Sequence, residues 1–139
     1  MSSQFWTKTS ISIGTIILDQ SSKYLVTTND WPYLYNDGIA FSLPLSNTIA
    51  MIVSILLVII LIRFGNTLYQ GTWKRIFNAS LGLVIGGAIG NIIDRLHAPG
   101  VIDFIKLPYW PTFNLADIAV CSGIGILLVL LYLDSKQQV

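Results

Sequence analysis

Charge is scarce in this chain. Lysine, arginine and acidic residues make up 11% of its 139 positions, against about 25% in a typical soluble domain. Hydrophobic residues make up 53%. A surface facing water would lack polar groups, so lipid is the better solvent. Glutamate is absent, and all seven acidic residues are aspartates. The net charge of +1 provides no basic field for nucleic acid, and no nucleic-acid partner is expected. The one cysteine, Cys121, cannot form an internal disulfide. It lies in the apolar run Ile118-Ala119-Val120-Cys121 and reads as packing. The one histidine, His97, argues against a Ser-His-Asp triad and against a histidine-rich metal site. No CxxC, HExxH, Walker loop or GxSxG motif occurs, and no internal repeat is visible.

Long apolar runs are what the chain has instead. Four stand out, at about 6–26, 48–64, 76–93 and 115–133. A membrane-crossing helix needs ~20 mostly apolar residues. Only helices and closed barrels satisfy every backbone group in hydrocarbon, and these runs are too long for barrel strands. The sequence therefore predicts a single integral membrane domain over 1–139. The first run is the most polar and the second the most hydrophobic. The first follows Lys8 as a secretory signal would. No small-residue cleavage site comes after it, so a retained span is expected.

Cation placement predicts the orientation. With both termini inside, the inner side receives Lys8, Arg63, Lys74, Arg75 and Lys136, and the outer side receives Lys23, Arg95 and Lys106. The first outer loop carries Trp31, Tyr33, Tyr35 and an Asn-Asp-Gly turn signal at Asn36–Gly38, which predicts short strands or a hairpin at the interface. The second carries Val101–Ile105 and then two prolines, Pro108 and Pro111, and predicts a short element resting on the membrane surface. Gly82, Gly86 and Gly90 share one face of the third span, where helices can approach closely; Ala119 and Gly123 are the expected partners.

The polar residues converge on one end. Asp19 and Lys23 lie toward the outer end of the first span, and Asn91, Asp94 and Arg95 at the outer end of the third. Asp103 and Asn36 are in the outer loops, and Asn114 and Asp117 open the fourth span. Ionisable residues in membrane spans are candidates for a functional site. Each also has a structural reading. Asp19 and Lys23 have the spacing of a helical ion pair. Asn91 and Arg95 share a face, and Arg95 could bind a carboxylate, contact a headgroup or snorkel. Asn114 with Asp117 matches a helix-start signature. Asp103 and Asp117 have no helical cation partner, although Lys106 is near Asp103 in sequence. Two aspartates brought together would share a proton near neutral pH, as acid–base hydrolysis requires. On residues alone, an ion-coupled carrier and a non-catalytic assembly or lipid-binding module are also open.

At these residues the chain resembles the lipoprotein signal peptidase (signal peptidase II) family. Leu18–Lys23 resembles its first-helix motif. Asn36–Ser42 resembles NxGxAF, Gly90–Arg95 resembles GNxxDR, Val101–Ile105 resembles VxDF, and Pro111–Asp117 resembles FNxAD. Five motifs in order, over nearly the whole length, make the resemblance specific. It implies an all-α membrane protein with four transmembrane helices. A small extracytoplasmic β element would lie between the first and second, and a short surface helix between the third and fourth. It implies an aspartic endopeptidase of the bacterial inner membrane that cuts diacylglyceryl-modified prolipoproteins just before the lipid-bearing cysteine. Asp103 and Asp117 would be catalytic. Asp19, Lys23, Asn36, Asn91, Asp94, Arg95 and Asn114 would shape the site or bind substrate. No metal or organic cofactor is implied. The partners would be lipidated prolipoproteins and the phospholipid bilayer, with the enzyme a monomer facing outward. The stretch between Asp103 and Asp117 departs from the family in being short and poor in polar residues.

Overall fold

A computed structural model of the chain describes residues 3–37, 47–65, 67, 69 and 71–137. Among them are four helices and two short strands: α1 (Ser3–Thr28), β1 (Leu34–Asn36), α2 (Asn47–Phe64), α3 (Lys74–His97), β2 (Val101–Asp103) and α4 (Leu115–Gln137). Three of the helices, α2, α3 and α4, are long and apolar enough to cross a membrane.

α3 is the central helix, packed against α1, α4 and α2. The burial pattern of α1 inverts that of a soluble helix. Lys8, Ser12, Thr15, Asp19 and Lys23 recur at three- and four-residue steps and are all buried, while Ile13, Ile17, Leu18 and Leu25 face outward. Steps of three and four place side chains on one helix face, and a soluble helix would bury its apolar face instead. α2 buries only Ala50 and Val58. Lys8, which the sequence counts with the inner side, is buried.

The glycines of α3 explain how a polar stripe packs so tightly. A Cβ at Gly82 would sit 2.8 Å from Ile11 Cβ, one at Gly86 2.8 Å from Thr15 Cβ, and one at Gly90 2.6 Å from the Asp19 carboxylate. The register advances in the same direction on both helices, so α1 and α3 are parallel. The Ser12 hydroxyl reaches the Gly82 carbonyl oxygen at 3.1 Å across this contact. The glycine stripe therefore meets α1, not the expected Ala119–Gly123 face of α4. Gly123 packs on Ser80 and Val84 instead, on a different side of α3, and α4 runs antiparallel.

The described parts of the α1–α2 and α3–α4 connections meet. β1 and β2 pair antiparallel, with Leu34 opposite Asp103, Tyr35 opposite Ile102 and Asn36 opposite Val101. The β element thus takes one strand from each loop rather than closing within the first. Gly38 of the turn signal lies outside the described residues. The expected surface helix between α3 and α4 does not form. Residues 98–114 instead contain β2, an Ile105–Phe113 bridge and a turn near Pro108 and Tyr109. The bridge leaves seven residues to close the loop. Pro108 and Pro111 also push Leu107 and Trp110, which precede them, away from helical backbone angles.

The α1–α3 contact has a direct test. A leucine at Gly86 meets backbone atoms of Ser12, whereas a Cβ at Gly14 has no neighbour within 4 Å. Gly86→Leu is expected to cost about 1–3 kcal/mol of stability, read as a lower unfolding midpoint in bicelles, while Gly14→Leu leaves the midpoint unchanged. Equal midpoints would contradict the packing.

Candidate active site

Asp117 is fixed by the start of its own helix. Its backbone N–H donates to Asn114 Oδ1 at 2.9 Å, and its Oδ2 accepts the Asn114 N–H at 3.2 Å. This reciprocal capping box satisfies amides that a helix start leaves unpaired. Asn91 of α3 donates to the other oxygen, Oδ1, at 2.9 Å. Asp117 is half-buried at this position.

Asp103 ends β2 and is 1% exposed. Asn36 donates to its Oδ2 at 2.9 Å and Asn114 to its Oδ1 at 2.7 Å. In the β1–β2 register Asn36 stands opposite Val101, so it reaches Asp103 across the diagonal, a distance side chains on one sheet face can span. Asn114 also donates to Asn91 Oδ1 at 3.2 Å. Asn91 and Asn114 therefore connect the two aspartates by a continuous run of amide hydrogen bonds.

Both aspartates line one cavity of about 530 Å³. Asn36, Asn91 and Arg95 contribute to its polar wall, with Ser54, Thr112 and Ser122. Val53 and Leu57 of α2, Ala88 of α3 and Val120 of α4 are among its apolar lining, as are Trp110 and Phe113 of the α3–α4 connection. Among the described residues, no group of three or more histidine, cysteine or acidic side chains gathers closely enough to hold a metal ion.

A second polar layer lies behind the cavity. Lys23 Nζ stands 2.7 Å from Asp19 Oδ2 and 2.7 Å from Asp94 Oδ2. It also donates to Asn91 Oδ1 at 3.2 Å. Gln20 donates to Asp94 Oδ1 at 3.0 Å. The Ala116 N–H donates to Asp19 Oδ1 at 2.9 Å, and the Ile102 N–H to Asp94 Oδ2 at 3.1 Å.

The pattern of the signal peptidase (SPase) II family matches residues 11–133. The chain belongs to the signal peptidase II family. It is 34% identical to the lipoprotein signal peptidase of Moorella thermoacetica, over 92% of this chain and 94% of that one. The lipoprotein signal peptidase of Syntrophomonas wolfei is 39% identical over 88% of this chain and 91% of its own length. That of Aquifex aeolicus is 38% identical over 94% and 88%. Among solved structures, a bacterial membrane enzyme superposes with a TM-score of 0.84 at 25% identity, covering 96% of this chain and 92% of that one. Signal peptidase II enzymes remove signal peptides from prolipoproteins, so this chain is a peptidase.

The signal peptidase II motifs are spread along the chain, and the fold gathers them at one end of the bundle. Of the nine residues singled out in the sequence, Asp103, Asp117, Asn36, Asn91 and Arg95 line the cavity. Asn114 bonds to both aspartates from behind them. Asp19, Lys23 and Asp94 form the buried layer. Gly38–Ser42 of the second motif lie outside the described residues. Lys106, the neighbour of Asp103 in sequence, is exposed, and amides hold Asp103 instead. Two contributors were not legible. Gln20 gives no signal beyond its motif. Cys121 is exposed to the cavity rather than packed; its position one helical turn after Asp117 could have shown this.

Burial pushes the Asp103 carboxyl from its ordinary 3.8 up to about 6, with the nearby Asp117 charge adding to the rise and the Asn36 and Asn114 hydrogen bonds opposing it. The neutral acid is therefore the form that folding favours. Its contribution to stability is complete below the ordinary carboxyl range and is lost as pH rises through about 6. Removing the neighbouring charge with Asp117→Asn is expected to lower the Asp103 midpoint, followed by the carboxyl infrared band of the labelled residue. A midpoint that stays near 6 in the variant would contradict the coupling.

Proposed function

We propose that this chain is an aspartic endopeptidase, with Asp103 and Asp117 its catalytic pair, that cuts diacylglyceryl-modified prolipoproteins just before the lipid-bearing cysteine. The observation that carries the reading is the shared cavity: two carboxyl groups from different elements, tied through Asn114, face one space with an apolar wall. Asp103, nearly sealed from solvent with its carboxyl raised to about 6, is the group that keeps a proton. Asp117 accepts hydrogen bonds on both oxygens, from Asn91 and the Asn114 amide, which hold its carboxyl in place at the cavity. The Asp117 carboxylate takes a proton from a water held between the pair, and that water attacks the scissile carbonyl. Asp103 gives its proton to the carbonyl oxygen. The tetrahedral intermediate then collapses, with the proton returned to the leaving amine.

The setting fits a lipid-held substrate. α1 lies parallel to α3 with its polar stripe turned inward, which supports reading it as a fourth span. Arg63, Lys74, Arg75 and Lys136 occupy helix ends opposite the aspartates. By the positive-inside rule the site then faces outward and both termini inward, in the bacterial inner membrane. The cavity walls from α2 and α4 reach toward the hydrocarbon, where a signal helix or acyl chain would remain while its scissile bond meets water. Binding energy from those parts can position the bond. One chain supplies the whole set of site residues, so a monomer suffices.

Asp103→Asn and Asp117→Asn are each expected to lower kcat on a lipidated precursor by about 10²–10⁴-fold, measured by gel shift with purified, folded protein. Normal turnover by either variant removes that residue from the chemistry.

A further inference from the structure

The buried charges behind the cavity reach the catalytic pair through two backbone amides and one side chain. Asp94 Oδ2 accepts the N–H of Ile102, the residue before Asp103, at 3.1 Å. Asp19 Oδ1 accepts the N–H of Ala116, the residue before Asp117, at 2.9 Å. Neither Asp19 nor Asp94 lines the cavity, so neither is placed to touch substrate. One cation joins them: Lys23, 2% exposed, stands 2.7 Å from each carboxylate. A third link runs through Asn91, whose Oδ1 accepts from Lys23 and whose Nδ2 donates to Asp117.

On the reading of Asp103 and Asp117 as the catalytic pair, we propose that Lys23 is a positioning residue that sets their separation, by tying Asp19 to Asp94 and through them the amides of Ile102 and Ala116. β2 and the start of α4 are joined to each other by the bridged loop between Ile105 and Phe113. Packing of α4 and β2 on α3 attaches them to the bundle. Lys23 ties the two peptides beside the aspartates to it as well, because its two carboxylate partners sit on α1 and α3, the helices held together by the glycine stripe. Without the ammonium, two buried carboxylates face each other unpaired. Either one takes a proton or the pair separates. In both cases an acceptor that holds a backbone amide is weakened or moved. Gly90 belongs to the same arrangement. A Cβ there would come within 2.6 Å of Asp19 Oδ2, so Gly90→Ala displaces Asp19 without changing any charge.

The test uses the full-length chain in bicelles with a lipidated precursor, and reads kcat, KM and hydrogen exchange at the Ile102 and Ala116 amides. Lys23→Met is expected to lower kcat by about 100-fold, the scale of a small misplacement of reacting groups. KM stays within about twofold, because helix and acyl chains are bound elsewhere. Both amides exchange faster together. Gly90→Ala moves kcat and exchange in the same direction by less. A folded Lys23→Met with wild-type kcat, a rise in KM alone, or unchanged protection of the two amides overturns the proposal. Where Lys23→Met does not fold, Gly90→Ala decides by the same readouts, and wild-type values there overturn it. A wild-type chain that leaves the precursor uncut sinks the peptidase reading instead, and amide exchange in the variants then decides the role of Lys23 by itself.

Discussion

An ammonium group buried between two carboxylates anchors one end of this bundle. Lys23 stands at equal distance from Asp19 and Asp94, and the three carry one net negative charge in a place that water barely reaches. Isolated, each charge would be costly in hydrocarbon. Paired, they still require good geometry and partners for the remaining lone pairs. The Ala116 and Ile102 amides and the Gln20 side chain supply those partners. The same hydrogen bonds that make the charges tolerable also locate the peptides before Asp103 and Asp117. Electrostatic necessity and active-site geometry are met by one set of contacts.

That arrangement needs α1 and α3 close together, which explains why the most polar helix carries the tightest packing. Gly82, Gly86 and Gly90 remove the side chains that would hold α1 away. The outward face of α1 is left apolar and the inward face polar, an inversion that makes sense only with lipid outside. α2, which buries little, is free to serve as a wall of the cavity rather than as part of the core.

Local spacing was legible in the sequence, and distant pairing was not. Asp19 and Lys23 sit four residues apart, so their ion pair could be read directly, as could the Asn114–Asp117 capping box. The second partner of Lys23 is Asp94, far along the chain, and no local pattern announces it. The glycine stripe was readable as a packing face, but its partner was misassigned to α4. Apart from Ile11, the facing residues of α1 are serine, threonine and charged groups, which read as polarity rather than as a contact surface. Strands of three residues are too short for alternation to identify, so the pairing of β1 with β2 across two loops came only from the fold. The absent surface helix was signalled by Pro108 and Pro111, whose local veto outweighed the family expectation. Cys121 read as core because its neighbours are apolar; its helical face, shared with Asp117, decides otherwise.

The two aspartates differ by their surroundings rather than by their chemistry. Asp103 is enclosed and favours its neutral form, while Asp117 is half-buried at a helix start, held by Asn91 and the Asn114 amide. On the proposed reading the pair would activate water directly, without a covalent bond to the substrate. A single-turnover cleavage of lipidated precursor in ¹⁸O-labelled water tests this most directly. Direct attack predicts one ¹⁸O in the new carboxyl terminus of the released signal peptide from the first turnover, with the enzyme unlabelled. Label appearing first in the Asp103 or Asp117 carboxyl would mean that an aspartate is the nucleophile, and would contradict the account.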